Sequence, residues 1–223
     1  MYDLFISSFV TFFVVIDPLG IAPIFAVMTD GASGEHKRLM IVKATITGTI
    51  ILLLFAFVGN GLLAALGISL LAFKAAGGVL LFMIAVEMVF EKRTERREKT
   101  SAEFSHGHEP PQTGTEPKVH SDEDYDDISV FPMAIPFIAG PGSIAYIMLL
   151  MSNHSDNLQQ QSVMIGSMLS VLVLTVFILM AATRIMTMMG QTVANAITRI
   201  LGVLLAALAT QYIFDGIKGT FLS

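Results

Sequence analysis

Six apolar stretches, each long enough to cross a lipid bilayer as a helix, constrain this chain more than any other feature. They run approximately over residues 4–28, 40–58, 68–90, 130–151, 163–182 and 197–217. A helix rises about 1.5 Å per residue, so roughly 20 apolar residues cover the ~30 Å of hydrocarbon. Charge is scarce outside one place. Only 14% of the 223 residues are charged, against about 25% in a soluble domain. Between Glu91 and Asp127 stand six Lys/Arg and eleven Asp/Glu, 17 of the 31 charged residues. The expected fold is an all-α membrane protein of six transmembrane helices with one large polar loop after the third. That loop is rich in Glu, Asp, His, Pro and Thr, a composition that predicts disorder.

The same counts narrow the function. The net charge of −5 comes mostly from the loop, and no basic surface points to nucleic acid. There are no cysteines, which removes disulfides, thiol redox chemistry and Cys-ligated metals. The opening MYDLFISSF has no positive n-region of a cleaved signal. The loops differ in Lys/Arg content, which sets orientation. The N-terminus, the 59–67 and 152–162 loops and the C-terminus share one side and carry only Lys218. The other side carries Lys37, Arg38, Lys92, Arg93, Arg96, Arg97, Lys99, Lys118 and Arg184. Both termini are expected outside, and the 91–129 loop in the cytoplasm.

The two halves echo each other. Asp17-Pro18-Leu19-Gly20-Ile21-Ala22-Pro23-Ile24 in the first stretch aligns with Gly140-Pro141-Gly142-Ser143-Ile144-Ala145-Tyr146-Ile147 in the fourth, at an offset of 123. Gly78-Val79-Leu80-Leu81 aligns with Gly202-Val203-Leu204-Leu205 at an offset of 124. The order and offset agree, so a duplication is expected: repeats at 1–90 and 130–223, joined by 91–129. Three crossings per half place the second repeat upside down, an arrangement found in transporters.

Proline and glycine interrupt the first and fourth stretches. Pro18, Gly20 and Pro23 fall within six residues, and Pro132, Pro136, Gly140, Pro141 and Gly142 within eleven. Proline lacks the donor and clashes with the preceding turn, but is at home in a helix's first turn. Each stretch is therefore predicted to be two half-helices, the second starting near Pro18 to Pro23 and near Pro141. Unpaired backbone at membrane depth needs protein or a wet cavity around it. The N–H groups of a half-helix start attract anions and freed carbonyls attract cations. A zwitterionic amino acid suits two such breaks facing each other. Kinked but merely packed helices are the plainer reading, since Pro and Gly are common in membrane spans.

Asp17 lies deep in the first stretch, where a carboxylate is costly. It would bind a cation, relay a proton, pair with a ligand's ammonium, or simply cap the helix that starts at Pro18. Lys43, Glu87 and Arg199 sit about one turn inside the ends of their stretches and can snorkel. Lys74, about two turns in, is harder to dismiss. His106, His108 and His120 and the acidic run 122–127 match no defined metal spacing, so a solvated linker is the better reading. No nucleophile–base pair or phosphate loop stands out, and an enzyme is the least expected reading.

Ile16-Asp17-Pro18-Leu19-Gly20-Ile21-Ala22-Pro23-Ile24-Phe25, the Ala134–Gly142 stretch AIPFIAGPG, Phe73-Lys74-Ala75-Ala76-Gly77-Gly78 and Thr198-Arg199-Ile200-Leu201-Gly202 together resemble the MarC family of bacterial and archaeal membrane proteins. The resemblance spans all six stretches, while the long charged loop departs from it. It implies six transmembrane helices in two inverted three-helix repeats, with helices 1 and 4 broken, in a prokaryotic inner membrane. It also implies kinship with amino-acid and metal-ion exporters related to the lysine exporter, some members carrying glycine and alanine. The expectation is a secondary transporter of small neutral amino acids, coupled to a proton or sodium ion, with the lipid bilayer as its other partner. The candidate substrate-binding residues are Asp17, Pro18, Leu19, Gly20, Ile21, Ala22, Gly140, Pro141, Gly142 and Ser143. The alternatives are a metal-cation exporter using Asp17 and freed carbonyls, and a non-transporting membrane scaffold or sensor. One deep carboxylate is few for a divalent ion.

Overall fold

The structure is a computed structural model that describes residues 1–29, 31–90, 99 and 128–221, without the side chains of 183, 185–187, 189–191 and 221. The expected disordered linker lies almost wholly outside these residues. Among the described residues there are seven α-helices, one π-helical segment and no strand. The α-helices are α1 (Tyr2–Ile16), α2 (Pro18–Met28), α3 (Gly34–Ala65), α4 (Leu70–Val89), α5 (Pro141–Asn153), α6 (Leu158–Met180) and α7 (Ala182–Phe221). The π segment, Ser129–Ile138, precedes α5.

Local chemistry sets several of the helix starts. The Ser33, Ser69 and Asn157 side chains accept from the backbone N–H of His36, Ala72 and Gln160, capping α3, α4 and α6. Each satisfies a donor that the helix start would leave open. Gly67, at φ 67°, makes the turn from α3 to α4 in a conformation that costs glycine little. Several helices outrun their apolar cores. α3 begins six residues before the stretch at 40–58, and α7 fifteen before that at 197–217, because polar residues continue a helix once it is nucleated.

Among the described residues, five runs are long and apolar enough to cross a membrane: Tyr2–Met28, Gly34–Ala65, Leu70–Val89, Leu158–Met180 and Thr192–Thr220. The π segment and α5, bent by 54° at their junction, make a sixth if taken as one span. The Tyr2–Met28 window is 72% buried, whereas the other four are 22–39% buried. The first run is thus the centre of the bundle, and the others show apolar faces outward. Ile46, Ile50, Leu54 and Phe57 of α3 are all exposed, as a lipid-facing stripe requires. The core gathers Phe12, Ile16, Ile21 and Phe25 of α1–α2 with Leu81, Met88, Met133 and Ile147.

Neighbours follow a pattern. α1 packs on α6 and the π segment on α3, while α2 packs on α7 and α5 on α4. The longest seam joins α4 to α7, and it is antiparallel. A Cβ on Gly78 would lie 2.9 Å from the Ala209 carbonyl oxygen and 2.8 Å from Ile213 Cγ1. One on Gly202 would lie 3.1 Å from the Ala85 carbonyl oxygen and 3.2 Å from Val89 Cγ2. Without side chains at these two points the backbones come into contact, as small residues allow between membrane helices.

Two expectations about the prolines need correction. Pro23 opens nothing: it sits buried inside α2, which continues to Met28. The interruption is one residue wide, at Asp17, because Pro18 starts the new helix and Pro23 falls a turn later, at the cost of one helical hydrogen bond. The first part of the fourth stretch is not an α half-helix. Phe131 (φ −131°, ψ 128°) and Ile135 (φ −125°, ψ 123°) are extended, because the ring of a following proline disfavours α geometry in the residue before it. The chain turns wide instead, with Met133 N–H donating to the Ile128 carbonyl and Ala139 N–H to that of Ala134.

Candidate functional site around Asp17

Asp17 adopts φ 56°, ψ 61°, the left-handed region that aspartate tolerates better than most residues. It ends one helix and begins another. Its N–H donates to the Phe13 carbonyl at 2.9 Å, and its own carbonyl accepts from Gly20 and Ile21, each at 3.1 Å. Its carboxylate Oδ1 accepts from the Gly20 N–H at 3.1 Å. The structural reading of Asp17 as a cap therefore holds. A second donor comes from far along the chain: Thr198 Oγ1, on α7, donates to the same Oδ1 at 3.3 Å. Asp17 is 1% exposed and Thr198 4%.

The start of α5 is built differently. Gly140 (φ −81°, ψ 169°) is its N-cap, and no side chain bonds the first turn. A Cβ on Gly140 would stand 2.5 Å from the Pro136 carbonyl oxygen. That oxygen is backbone and cannot swing aside as a side chain would, so any larger residue forces the chain itself to shift. Gly142 is as tightly placed: a Cβ there would strike Ile84 and come within 3.2 Å of Val15 Cγ1. Val15 lies two residues before Asp17 and Gly142 two after Gly140, so the two interruptions lie at adjoining levels. From there α2 runs toward one end of the molecule among α6 and α7, and α5 toward the other among α3 and α4.

Of the sequence-predicted residues, Asp17, Pro18, Gly20, Ile21, Ala22, Gly140, Gly142 and Ser143 are buried. Leu19 is half-buried, and Pro141 is exposed. Pro141 therefore starts a helix rather than walling a site. Chemically, the arrangement pairs opposite characters. The start of α2 already has its anion, the Asp17 carboxylate. The start of α5 has backbone N–H groups with no side chain capping them, so its partial positive charge is open to an anion.

Sequence reasoning missed three participants. Thr198 stood in a quoted motif without a role, and nothing local links it to Asp17, 181 residues away. Tyr146, 2% exposed, packs edge-on to Phe12 with ring centroids 4.7 Å apart. Asp215 pairs with Lys74, Nζ to Oδ2 at 3.1 Å. The signal for Asp215 was a lone carboxylate inside the sixth apolar stretch, matching the lone lysine in the third.

A family model described as "MarC family integral membrane protein" matches residues 2–221. The chain belongs to the MarC family. It is 36% identical over 222 residues to the UPF0056 membrane protein MJ0972 of Methanocaldococcus jannaschii, covering 99% of this chain and 90% of that one. It is 32% identical over 218 residues to MJ1677 of the same archaeon, covering 98% of each chain. YvbG of Bacillus subtilis, also a UPF0056 membrane protein, is 32% identical over 226 residues, covering 99% of this chain and 97% of its own. No solved structure matches. The chain is thus a MarC-family integral membrane protein with several apolar helices.

Proposed function

We propose that this protein is a secondary transporter of small neutral amino acids, glycine and alanine in type. The observation that carries the reading is the pair of interruptions: a buried carboxylate at Asp17 and, at the adjoining level where Val15 meets Gly142, a helix start at Gly140–Ser143 whose N-cap has no side chain. An α-amino acid carries both complementary charges a short distance apart. Its carboxylate goes to the Gly142 and Ser143 N–H groups, and its ammonium to Asp17. The close packing of Val15, Gly142 and Ile84 favours a substrate with a small side chain. The first and fourth spans are, on this reading, broken helices, with Pro18, Leu19, Ile21 and Ala22 shaping the other wall.

The repeat reading draws support from the α4–α7 seam. The contacts Gly78–Ala209–Ile213 and Gly202–Ala85–Val89 exchange under the offset of 124 found in the sequence. The neighbour pattern exchanges in the same way, α2 on α7 with α5 on α4. Two inverted halves, 1–90 and 130–223, would then rock about this seam to expose the site alternately. The orientation follows from the Lys/Arg bias: termini outside, the 91–129 loop cytoplasmic, in the inner membrane. A proton or sodium ion drives transport, and no catalysis is involved. The metal-cation alternative has less behind it, because one carboxylate is few for a divalent ion and among the described residues no three His, Asp or Glu side chains come together.

The test is counterflow of labelled glycine and alanine in proteoliposomes. Accumulation is expected in the natural protein and is lost in Asp17→Asn and in Gly140→Leu. Transport unaffected by both substitutions would sink the proposed site.

A further inference from the structure

The transport reading needs a seal on each side of the site, and one of them has a physical candidate. α1 and α5 are antiparallel, with Val15 against Gly142 and Phe12 against Tyr146. The start of α1, the end of α5, the start of α4 and the end of α7 therefore share one end of the molecule. Near that end Lys74 and Asp215 form their ion pair, side chains 18% and 39% exposed. Gln211 Nε2 donates to Asp215 Oδ1 at 2.8 Å. Lys74 Nζ lies 5.9 Å from the centroid of the Tyr212 ring, within cation–π reach. The Tyr212 ring lies 6.4 Å from that of Tyr146, and Tyr146 packs on Phe12.

Exposure thus falls from the ion pair inward to Phe12, which is fully buried. Asp17 lies five residues farther along α1, about 7.5 Å deeper at the helical rise. The stack takes one side chain each from α1, α4 and α5 and two from α7. Neither charge needs its partner to avoid burial, since a lysine stem near a helix end can snorkel to water. A partly exposed pair is also weak enough to be broken and remade. The position equivalent to Lys74 in the second half, at the offset of 124, is Thr198, which bonds Asp17 instead. The two halves thus differ at this position, a lysine in one and a threonine in the other.

We propose that the Phe12–Tyr146–Tyr212 stack, latched by Lys74–Asp215, is the gate over Asp17 on the face that holds both chain ends, and that the structure has this gate closed. The proposal rests on the transport reading but is tested without substrate.

The chain has no cysteine, so Ser143→Cys supplies a unique thiol, at a position 2% exposed. A membrane-impermeant maleimide is applied to each membrane face in turn, in intact cells and in inverted vesicles. Lys74→Gln and Asp215→Asn are each expected to raise the labelling rate about fivefold from the face with the chain ends and not from the other. The charge swap Lys74→Asp with Asp215→Lys returns it to the starting rate. Tyr212→Leu, which keeps the pair and removes the ring beneath it, is the second arm should a charge variant fail to fold, and it too raises the rate. Unchanged labelling overturns the gate, as does an equal rise from both faces, which marks general loosening. Glycine counterflow in the natural protein separates the two ideas: transport with unchanged labelling defeats the gate alone, and faster labelling without any transport defeats the transporter and leaves the gate.

Discussion

At Asp17 one carboxyl group closes the first turn of α2 and also stands buried at the level where α5 begins. The two roles respond differently to substitution. Asparagine keeps an oxygen to accept from Gly20 and tolerates the left-handed backbone. Asp17→Asn should therefore melt within a few degrees of the natural protein in detergent while losing amino-acid counterflow. Asp17→Ala loses the cap and puts a methyl-bearing residue at φ 56°, costing about 1–3 kcal/mol and lowering the melting temperature clearly. If the two variants melt alike, the cap is not what Asp17 contributes. The role of Asp17 was visible in sequence because a carboxylate before proline in an apolar stretch has few reasons to exist. Its tie to Thr198 was not, because a threonine in an apolar helix usually bonds its own backbone, as Thr45, Thr175 and Thr210 do here.

At the scale of the element, the junction between the π segment and α5 is governed by backbone rather than side chains. The Pro136 carbonyl leaves no room for a β-carbon at Gly140. Gly140→Ala is expected to destabilise by roughly 1–3 kcal/mol, as overpacking does. Gly166, in the interior of α6 with nothing within 4 Å of its missing β-carbon, is the matched comparison. Gly166→Ala should be neutral or stabilise by about 0.5–1 kcal/mol through helix propensity. Thermal unfolding of the pair reads this directly, and equal effects would mean that the close approach at Gly140 is not the constraint. The sequence marked both interruptions by their prolines and glycines. It overstated Pro23, because a proline one turn into a helix costs one hydrogen bond and leaves the rest of the helix intact. It also missed the extended residues at 131 and 135, whose geometry depends on the restriction each proline places on its predecessor.

For the whole molecule the α4–α7 seam is the most extensive helix contact among the described residues. Its two backbone contacts, at Gly78 and at Gly202, lie far enough apart to act independently. Gly78→Ala and Gly202→Ala should each force the helices apart and cost about 1–3 kcal/mol, and the double variant should lose close to the sum. A double variant no worse than either single one would show that the contacts are a single site. The outward apolar stripe on α3 and the enclosed α1–α2 run divide the molecule into a lipid-facing shell and a centre. Hydropathy alone does not make that division, because in a bilayer both shell and centre are apolar.

By itself the sequence determined that the chain crosses a membrane in helices, where the regular geometry is interrupted, and which carboxylate sits at the interruption. These follow from short-range physics: the length of an apolar run, the missing N–H of proline, the desolvation cost of a charge. Only the tertiary structure decided that Val15 meets Gly142, that Thr198 rather than a neighbour serves Asp17, and that Lys74 finds Asp215 across α4 and α7. Those pairings join residues more than a hundred positions apart, and they depend on which helix faces which. In a chain whose helices are apolar on every side, no amphipathic stripe announces that choice. Close packing at a few glycines and polar side chains makes it.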